Sequence, residues 1–245
     1  MLLLRRAIIF LTVALAGLPG VLRPQNANQL PPAAAQIPTA EQIIAQMQRH
    51  NQQRTQQLLR YHAVRHYQAE YQGFATKLEG ALEVEVNYNA ASGKSFRILS
   101  ESGSKLLCEK VLKRAVESEK EASRDSQSTA LTAANYKFHL AGIEDLAGRP
   151  AYILDVEPLV PSKFLYEGKI WVDAVDFALA KIEAKPAKSP SFWISRTTIH
   201  QSFAKTGIFW FPQHNRSDTK VRIGGAAIFN IDYGTYQIES KTPQE

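Results

Sequence analysis

Between Ala81 and Asn89 the chain alternates without a break, with Leu82, Val84, Val86 and Tyr88 set against Glu83, Glu85 and Asn87. A period of two places the first set on one face of a β-strand and the second on the other, so the segment predicts a strand with one dry and one wet face. Residues 91–94 ("ASGK") form a turn, and Phe96 and Ile98 continue the dry face on the next strand. Upstream, the run opening at Tyr61 alternates as well, with Tyr67, Ala69 and Tyr71 on one side. From Tyr136 the pattern returns and persists nearly to the end of the chain. Phe138, Leu140, Leu154, Phe164, Tyr166, Ile170 and Val172 fall on the dry parity, while Trp171 points to the other side. Asp173 and Asp176 shape the tight turn that follows, because an aspartate side chain bonds the backbone just ahead of it.

Two stretches follow a helical period instead. Thr39 precedes a Gln-rich segment with Gln42 three residues on, which is a capping box. It opens a predicted amphipathic helix over residues 41–59, with Ile43, Ile44, Met47, Leu58 and Leu59 as its apolar side. A second helix is predicted over about 103–125, with Leu107, Val111 and Ala115 at helical spacing and a charged opposite face. The other connections are short turns such as residues 145–150 ("DLAGRP") and Gly224-Gly225, which suit antiparallel neighbours. Strands and helices do not alternate, so a parallel α/β fold is excluded. The expectation is a mainly β fold with some α: about eleven antiparallel strands in one sheet, strongly curled or closed into a barrel and covered by the two helices.

The N-terminus carries a different signal. Arg5 and Arg6 precede an apolar run from Ala7 to Leu18, and Ala14-Leu15-Ala16 is a small-x-small cleavage pattern. This is the anatomy of a secretory signal, and the run is shorter than the ~20 residues that span a bilayer. Residues 1–18 are therefore read as a signal peptide, residues 19–40, rich in Pro, Ala, Gln and Asn, as a flexible linker, and residues 41–240 as a single domain. Export to a bacterial periplasm follows, with an uncleaved inner-membrane signal anchor as the alternative.

Composition narrows the function classes. The chain has 245 residues, 44% of them hydrophobic, which is enough for a packed core. The formal net charge is +6, but two of these charges are Arg5 and Arg6 and the rest are scattered, which argues against nucleic-acid binding. A mild positive balance suits work near anionic membrane surfaces. Cys108 is the only cysteine, so neither an internal disulfide nor a cysteine zinc site is available.

Candidate chemistry is sparse. Phosphate-loop, nucleophile-elbow and His-Glu-x-x-His motifs are all missing. His62 and His66 share a strand face but lie ~13 Å apart, too far to share a metal. Glu79, Glu83 and Glu85 read as a solvated outer face. Ser195 and His200 fall on opposite faces of one strand. The expectation is therefore no catalytic residues, no metal and no cofactor. The aromatic side chains from Tyr136 onward mostly fit one face of the sheet. With only two helices to cover it, that face becomes either a closed core or a concave apolar hollow, the usual form of a site for small apolar ligands.

The segment "GKIWVDAVDFALAKIEAKP" and the later "FWI…IHQSFAKTGIFWFP" (residues 168–212), together with the signal peptide and the helical insertion after the third strand, resemble the LolA/LolB-like superfamily of periplasmic lipoprotein carriers. The resemblance spans roughly residues 40–240 and implies a half-open barrel holding acyl chains under helical lids. It implies as partners lipid or lipoprotein acyl chains and the inner- and outer-membrane proteins that handle them, with the chain acting as a monomer and performing no catalysis. By strand parity, the cavity lining would be Leu82, Val84, Val86, Tyr88, Phe96, Ile98, Phe138, Leu140, Leu154, Phe164, Tyr166, Ile170 and Val172. The family's carrier also has a strand arginine that holds the lid shut; Arg97 is nearest by placement but is not assigned that role. The lipidated N-terminal cysteine of LolB is missing, which points away from an anchored acceptor. The alternative is a lipid-sensing or protein-interaction module of the same fold, similar to RseB.

Overall fold

The computed structural model describes residues 37–124, 126–189, 194–222 and 224–241. The predicted signal peptide, the linker up to residue 36, and Phe192 and Trp193 lie outside the described residues. Helix α1 (Ala40–Gln57) starts on the capping box read from the sequence: Thr39 Oγ1 accepts from the Gln42 N–H at 3.3 Å and Gln42 Oε1 accepts from the Thr39 N–H at 2.9 Å. The helix ends two residues earlier than expected. Leu58 is already the first residue of strand β1 (Leu58–Gln72), so helix passes directly into strand.

Strands β2 (Lys77–Asn89) and β3 (Gly93–Gly103) follow as an antiparallel meander. The chain then leaves the sheet in a helical excursion. Helix α2 (Lys105–Leu107) runs through a π-helical turn (Cys108–Leu112) into α3 (Lys113–Arg124), and α4 (Ser126–Thr129) ends it. A second meander comprises β4 (Tyr136–Leu146), β5 (Arg149–Pro158), β6 (Tyr166–Asp173), β7 (Leu179–Pro186), β8 (Ile194–Thr206), β9 (Phe209–Val221) and β10 (Ala226–Tyr233), and the short strand β11 (Gln237–Ser240) follows it.

All eleven strands belong to one antiparallel sheet: ten follow the order β3-β2-β1-β10-β9-β8-β7-β6-β5-β4, and β11 pairs with β1 beside this path. The long strand β1 joins the two meanders. Its far half (Arg65–Gln72) pairs with β10 and its near half (Leu58–His62) with β11, and the Gly234 N–H bridges the junction to the Val64 carbonyl at 3.0 Å. Strands β3 and β4 end the order without pairing to each other, so the sheet is curled but not closed into a barrel. Bulges in the β2–β3, β4–β5, β6–β7 and β8–β9 ladders supply curvature.

The helices cover the sheet in two places and make two apolar cores. Ile43, Ile44 and Met47 of α1 pack on Leu154, Val156, Ile170, Val172 and Ile182 from β5–β7. Leu107, Cys108, Leu112 and Val116 pack on Tyr67, Leu82, Val84 and Val86 from β1 and β2. The second contact corrects the predicted helix face. Val111 is 38% exposed, and Leu112 is buried in its place. The π turn adds a residue to the local repeat and rotates the face by one position. Gly80 beneath it permits the close approach, since a Cβ there would stand 3.1 Å from Leu107 Cβ and 3.4 Å from Cys108 Sγ.

Candidate functional site

Strand β1 presents Tyr61, Ala63, Arg65, Tyr67 and Ala69 to the covered face, and all five are buried. An arginine in this series is out of place unless it has partners, because burying an unpaired charge is costly. Arg65 is 1% exposed, and its Nη1 donates to Glu119 Oε1 of α3 at 2.5 Å. The other carboxylate oxygen accepts from the Tyr67 hydroxyl at 2.9 Å. The Tyr233 ring lies 4.7 Å from the guanidinium carbon and the Phe96 ring 5.9 Å from it, so aromatic faces flank the cation. The hydroxyls of Tyr61 and Tyr236 interact with it as well.

Electrostatics follow from this packing. Burial disfavours the Arg65 charge, but Glu119 together with Tyr67, Tyr233 and Tyr236 outweighs it and holds the pKa above its ordinary value. Burial also pushes the Glu119 carboxyl up, yet Arg65 and Lys94 together hold it below its ordinary value. Burial pushes the Tyr61 hydroxyl up to about 12. Lys94, opposite Tyr88 on β3, is exposed by area, yet burial depresses its ammonium pKa. The register puts Lys94 on the same face as Phe96, which pairs with Val86, so it belongs to the covered side of β3. Glu119 also raises the pKa of Tyr166, after burial, although Tyr166 is on β6 in the other meander. With Lys163 Nζ 3.3 Å from Glu121 Oε2, this shows α3 reaching across the curled face from β1–β3 towards the start of β6.

The residues expected to line one cavity divide between the two cores. Leu82, Val84 and Val86 are fully buried under α2–α3, with Tyr88 and Phe96 at the margin. Tyr88 stacks on Tyr61 at 5.3 Å. Ile98 pairs with Val84 but is 41% exposed, since the edge strand β3 runs past the helical cover there. Leu154, Ile170 and Val172 are buried in the core under α1, with Phe138, Leu140 and Tyr166 packed against it. Phe164 departs from its predicted strand position. It lies in the turn before β6 with the Lys163 ammonium 4.5 Å from its ring, so strand parity does not apply to it. A cleft of about 430 Å³ opens near Tyr61, Tyr88 and Ile238, and Tyr88 is the one predicted lining residue it touches.

Arg97 lies elsewhere. Its Nε donates to Glu85 at 2.9 Å on the outer face, where His62 and His66 also stand 3.4 Å from Glu85 and Glu83. The strand arginine that meets a covering helix is Arg65. The odd-numbered dry series from Tyr61 to Tyr71 already contained it, and that parity is the signal that would have found it.

The predicted turn after β6 is built as read. Asp173, 1% exposed, accepts from the Val175 and Asp176 N–H groups at 3.0 and 2.7 Å and from Arg149 Nε at 2.6 Å. Asp176 accepts from Trp210 Nε1 and Lys205 Nζ at 3.0 and 2.8 Å. Arg54 of α1 donates to the Asp176 and Phe177 carbonyls at 2.9 and 3.1 Å, fastening that helix to the turn. Trp171 faces outward as expected but is buried, with Lys181 4.4 Å from its ring and Glu144 accepting its N–H at 2.6 Å. Ser195 and His200 make separate contacts, to the Lys220 carbonyl at 2.9 Å and to Glu183 at 3.8 Å. Among the described residues, no helix is long and apolar enough to cross a membrane.

The arrangement is that of an open, curled antiparallel sheet with a helix-covered concave face. By sequence the chain matches no family model and no curated protein. By structure it is similar to a DUF1329 family protein from Desulfovibrio piger (TM-score 0.42, 11% identity, 83% of this chain and 95% of that one). It is similar also to a LolA superfamily protein from Nitrosomonas europaea (TM-score 0.36, 12% identity, 84% and 96%). A third likeness is to a putative outer membrane lipoprotein-sorting protein domain from Vibrio parahaemolyticus (TM-score 0.38, 10% identity, 81% and 93%). These likenesses are of strand arrangement and transfer no function.

Proposed function

We propose that the protein is a periplasmic carrier that takes lipid or lipoprotein acyl chains onto its concave apolar face and serves outer-membrane lipoprotein sorting. The observation that carries this reading is the mixed character of the α2–α3 cover. It lies on fully buried Leu82, Val84 and Val86, yet a polar clasp, Arg65–Glu119–Tyr67, helps to hold it. Burying Leu107, Leu112 and Val116 of the cover contributes about 1.5–3 kcal/mol each, and hydrogen bonds to charged groups about 1.5–3 kcal/mol more. A 16-carbon chain offers roughly 12 kcal/mol gross at ~0.8 kcal/mol per buried CH₂. The two are of one size, so an acyl chain can exchange for the cover without being trapped. The signal-like N-terminus supports delivery to the periplasm, and donor and acceptor proteins in the two membranes are the partners implied.

The test is native mass spectrometry of the mature protein purified from a Gram-negative periplasm, with lipid extraction and displacement of a fluorescent fatty-acid probe. Co-purified acyl lipid and micromolar displacement are expected. A protein that is lipid-free and also fails to bind the probe would sink the reading.

A further inference from the structure

We infer that the concave face contains an anion site, in which Arg65 and Lys94 take the carboxylate or phosphate head of an amphiphile and Glu119 of α3 is the internal occupant that the ligand displaces. The inference deepens the carrier reading and rests on it. Its first support is an unused donor. Arg65 is 1% exposed, and its Nε N–H has no partner. Proteins seldom leave a buried charged donor unpaired without a functional reason. The second support is geometric. A guanidinium prefers a two-point fork on a carboxylate or phosphate. Glu119 does not make that fork: one oxygen meets Nη1 and the other turns to the Tyr67 hydroxyl. The Nε N–H is left for a second anionic oxygen.

The third support is charge. The ionised groups that act on one another here are Arg65, Lys94 and Glu119, two cations against one carboxylate. Lys94 looks into the concavity without a salt bridge among the described residues, while the nearby outer-face cation Arg97 is already paired with Glu85. An excess positive charge among low-dielectric walls attracts an anion more strongly than it would in water. Apolar wall lies next to it, since Phe96 flanks the guanidinium and pairs with Val86 in the sheet. A head on Arg65 therefore leaves its chain against the Val84–Val86 surface once α3 lifts. A ligand with an anionic head and an acyl tail satisfies both parts of the site. A free anion satisfies only one.

Isothermal titration of the mature chain with laurate, dodecyl phosphate, dodecanol, acetate and inorganic phosphate tests this. The readout is the ratio of laurate to dodecanol affinity, which a purely structural role would not move. Wild type should prefer laurate and dodecyl phosphate at least tenfold over dodecanol, and acetate and phosphate alone should bind far more weakly. Glu119→Gln should raise the ratio several-fold by removing the competing charge. Lys94→Met, at an exposed position, should lower it several-fold with the fold intact by circular dichroism. Equal binding of laurate and dodecanol in wild type overturns the anion site but leaves the carrier reading standing. Failure of both to bind overturns both readings. Acetate or phosphate binding as tightly as laurate overturns the amphiphile and leaves a small-anion site.

Discussion

At the scale of single residues, the decisive feature is that Arg65 occupies a position the alternation reserves for an apolar side chain. The same alternation that read Leu82, Val84 and Val86 as buried would have marked Arg65 as anomalous, because Tyr61, Ala63, Tyr67 and Ala69 share its parity. Its partner was not legible. Glu119 lies 54 residues on, in a helix whose placement over β1 depends on the whole sheet. The pair carries a pH signature. The folded-state pKa of Glu119 lies below its ordinary value of 4.5, burial opposing and Arg65 and Lys94 prevailing. The unfolded chain therefore binds the proton more readily than the folded one between the two values. The stabilisation from Glu119 is complete above about pH 4.5 and is lost as the pH falls through the folded value. Urea unfolding of wild type and Glu119→Gln should show wild type the more stable at pH 7, by about 1–3 kcal/mol. The gap should close in acid. A gap that stays constant down to pH 3 would show that Glu119 acts through packing and not charge.

At the scale of elements, periodicity located helices and strands well but missed one local defect. The capping box placed the start of α1, and the Asp173–Asp176 turn between β6 and β7 was legible because short-range side-chain bonds fix it. The face of the second helix was not, because a π turn changes the repeat without changing the residue types. It forms where the helix meets β2 at Gly80, and no window within residues 103–125 records that meeting. The distinction is measurable. Regular α-helical spacing puts Val111 on the sheet; the π turn puts Leu112 there, fully buried, and leaves Val111 38% exposed. Leu112→Ala should destabilise by about 2–5 kcal/mol, and Val111→Ala by no more than about 0.5 kcal/mol. Comparable losses at the two positions in thermal or denaturant unfolding would argue for a regular helix. The expected strand position of Phe164 on the dry face failed for a related reason, since its parity was read across a turn in which alternation has no meaning.

At the scale of the molecule, the question is which of the two covers moves. Residues 41–59 are Gln-rich with few apolar anchors, which by sequence suggests a weakly held helix. The structure gives reasons to think otherwise. Ile43, Ile44 and Met47 are at most 3% exposed, the helix continues directly into β1, and Arg54 bonds two carbonyls of the β6–β7 turn. Helix α1 is thus held by the buried side chains of its first half and fastened at its C-terminal end. Helix α3 buries only Val116, and its remaining holds are the Arg65–Glu119 clasp and partly exposed pairs such as Lys163–Glu121 and Lys113–Glu101. Exposed ion pairs contribute about 0–1 kcal/mol, so α3 should belong to the low-stability end of the local opening hierarchy. Hydrogen exchange read by mass spectrometry separates the two. Without ligand, Lys113–Arg124 should exchange faster than Ala40–Gln57. Saturating laurate should accelerate exchange in Lys113–Arg124 by breaking the clasp, while Ala40–Gln57 and strand β1 stay protected. The opposite response, with α1 loosened and α3 unchanged, would make α1 the lid and return the Arg65–Glu119 pair to a fixed structural role.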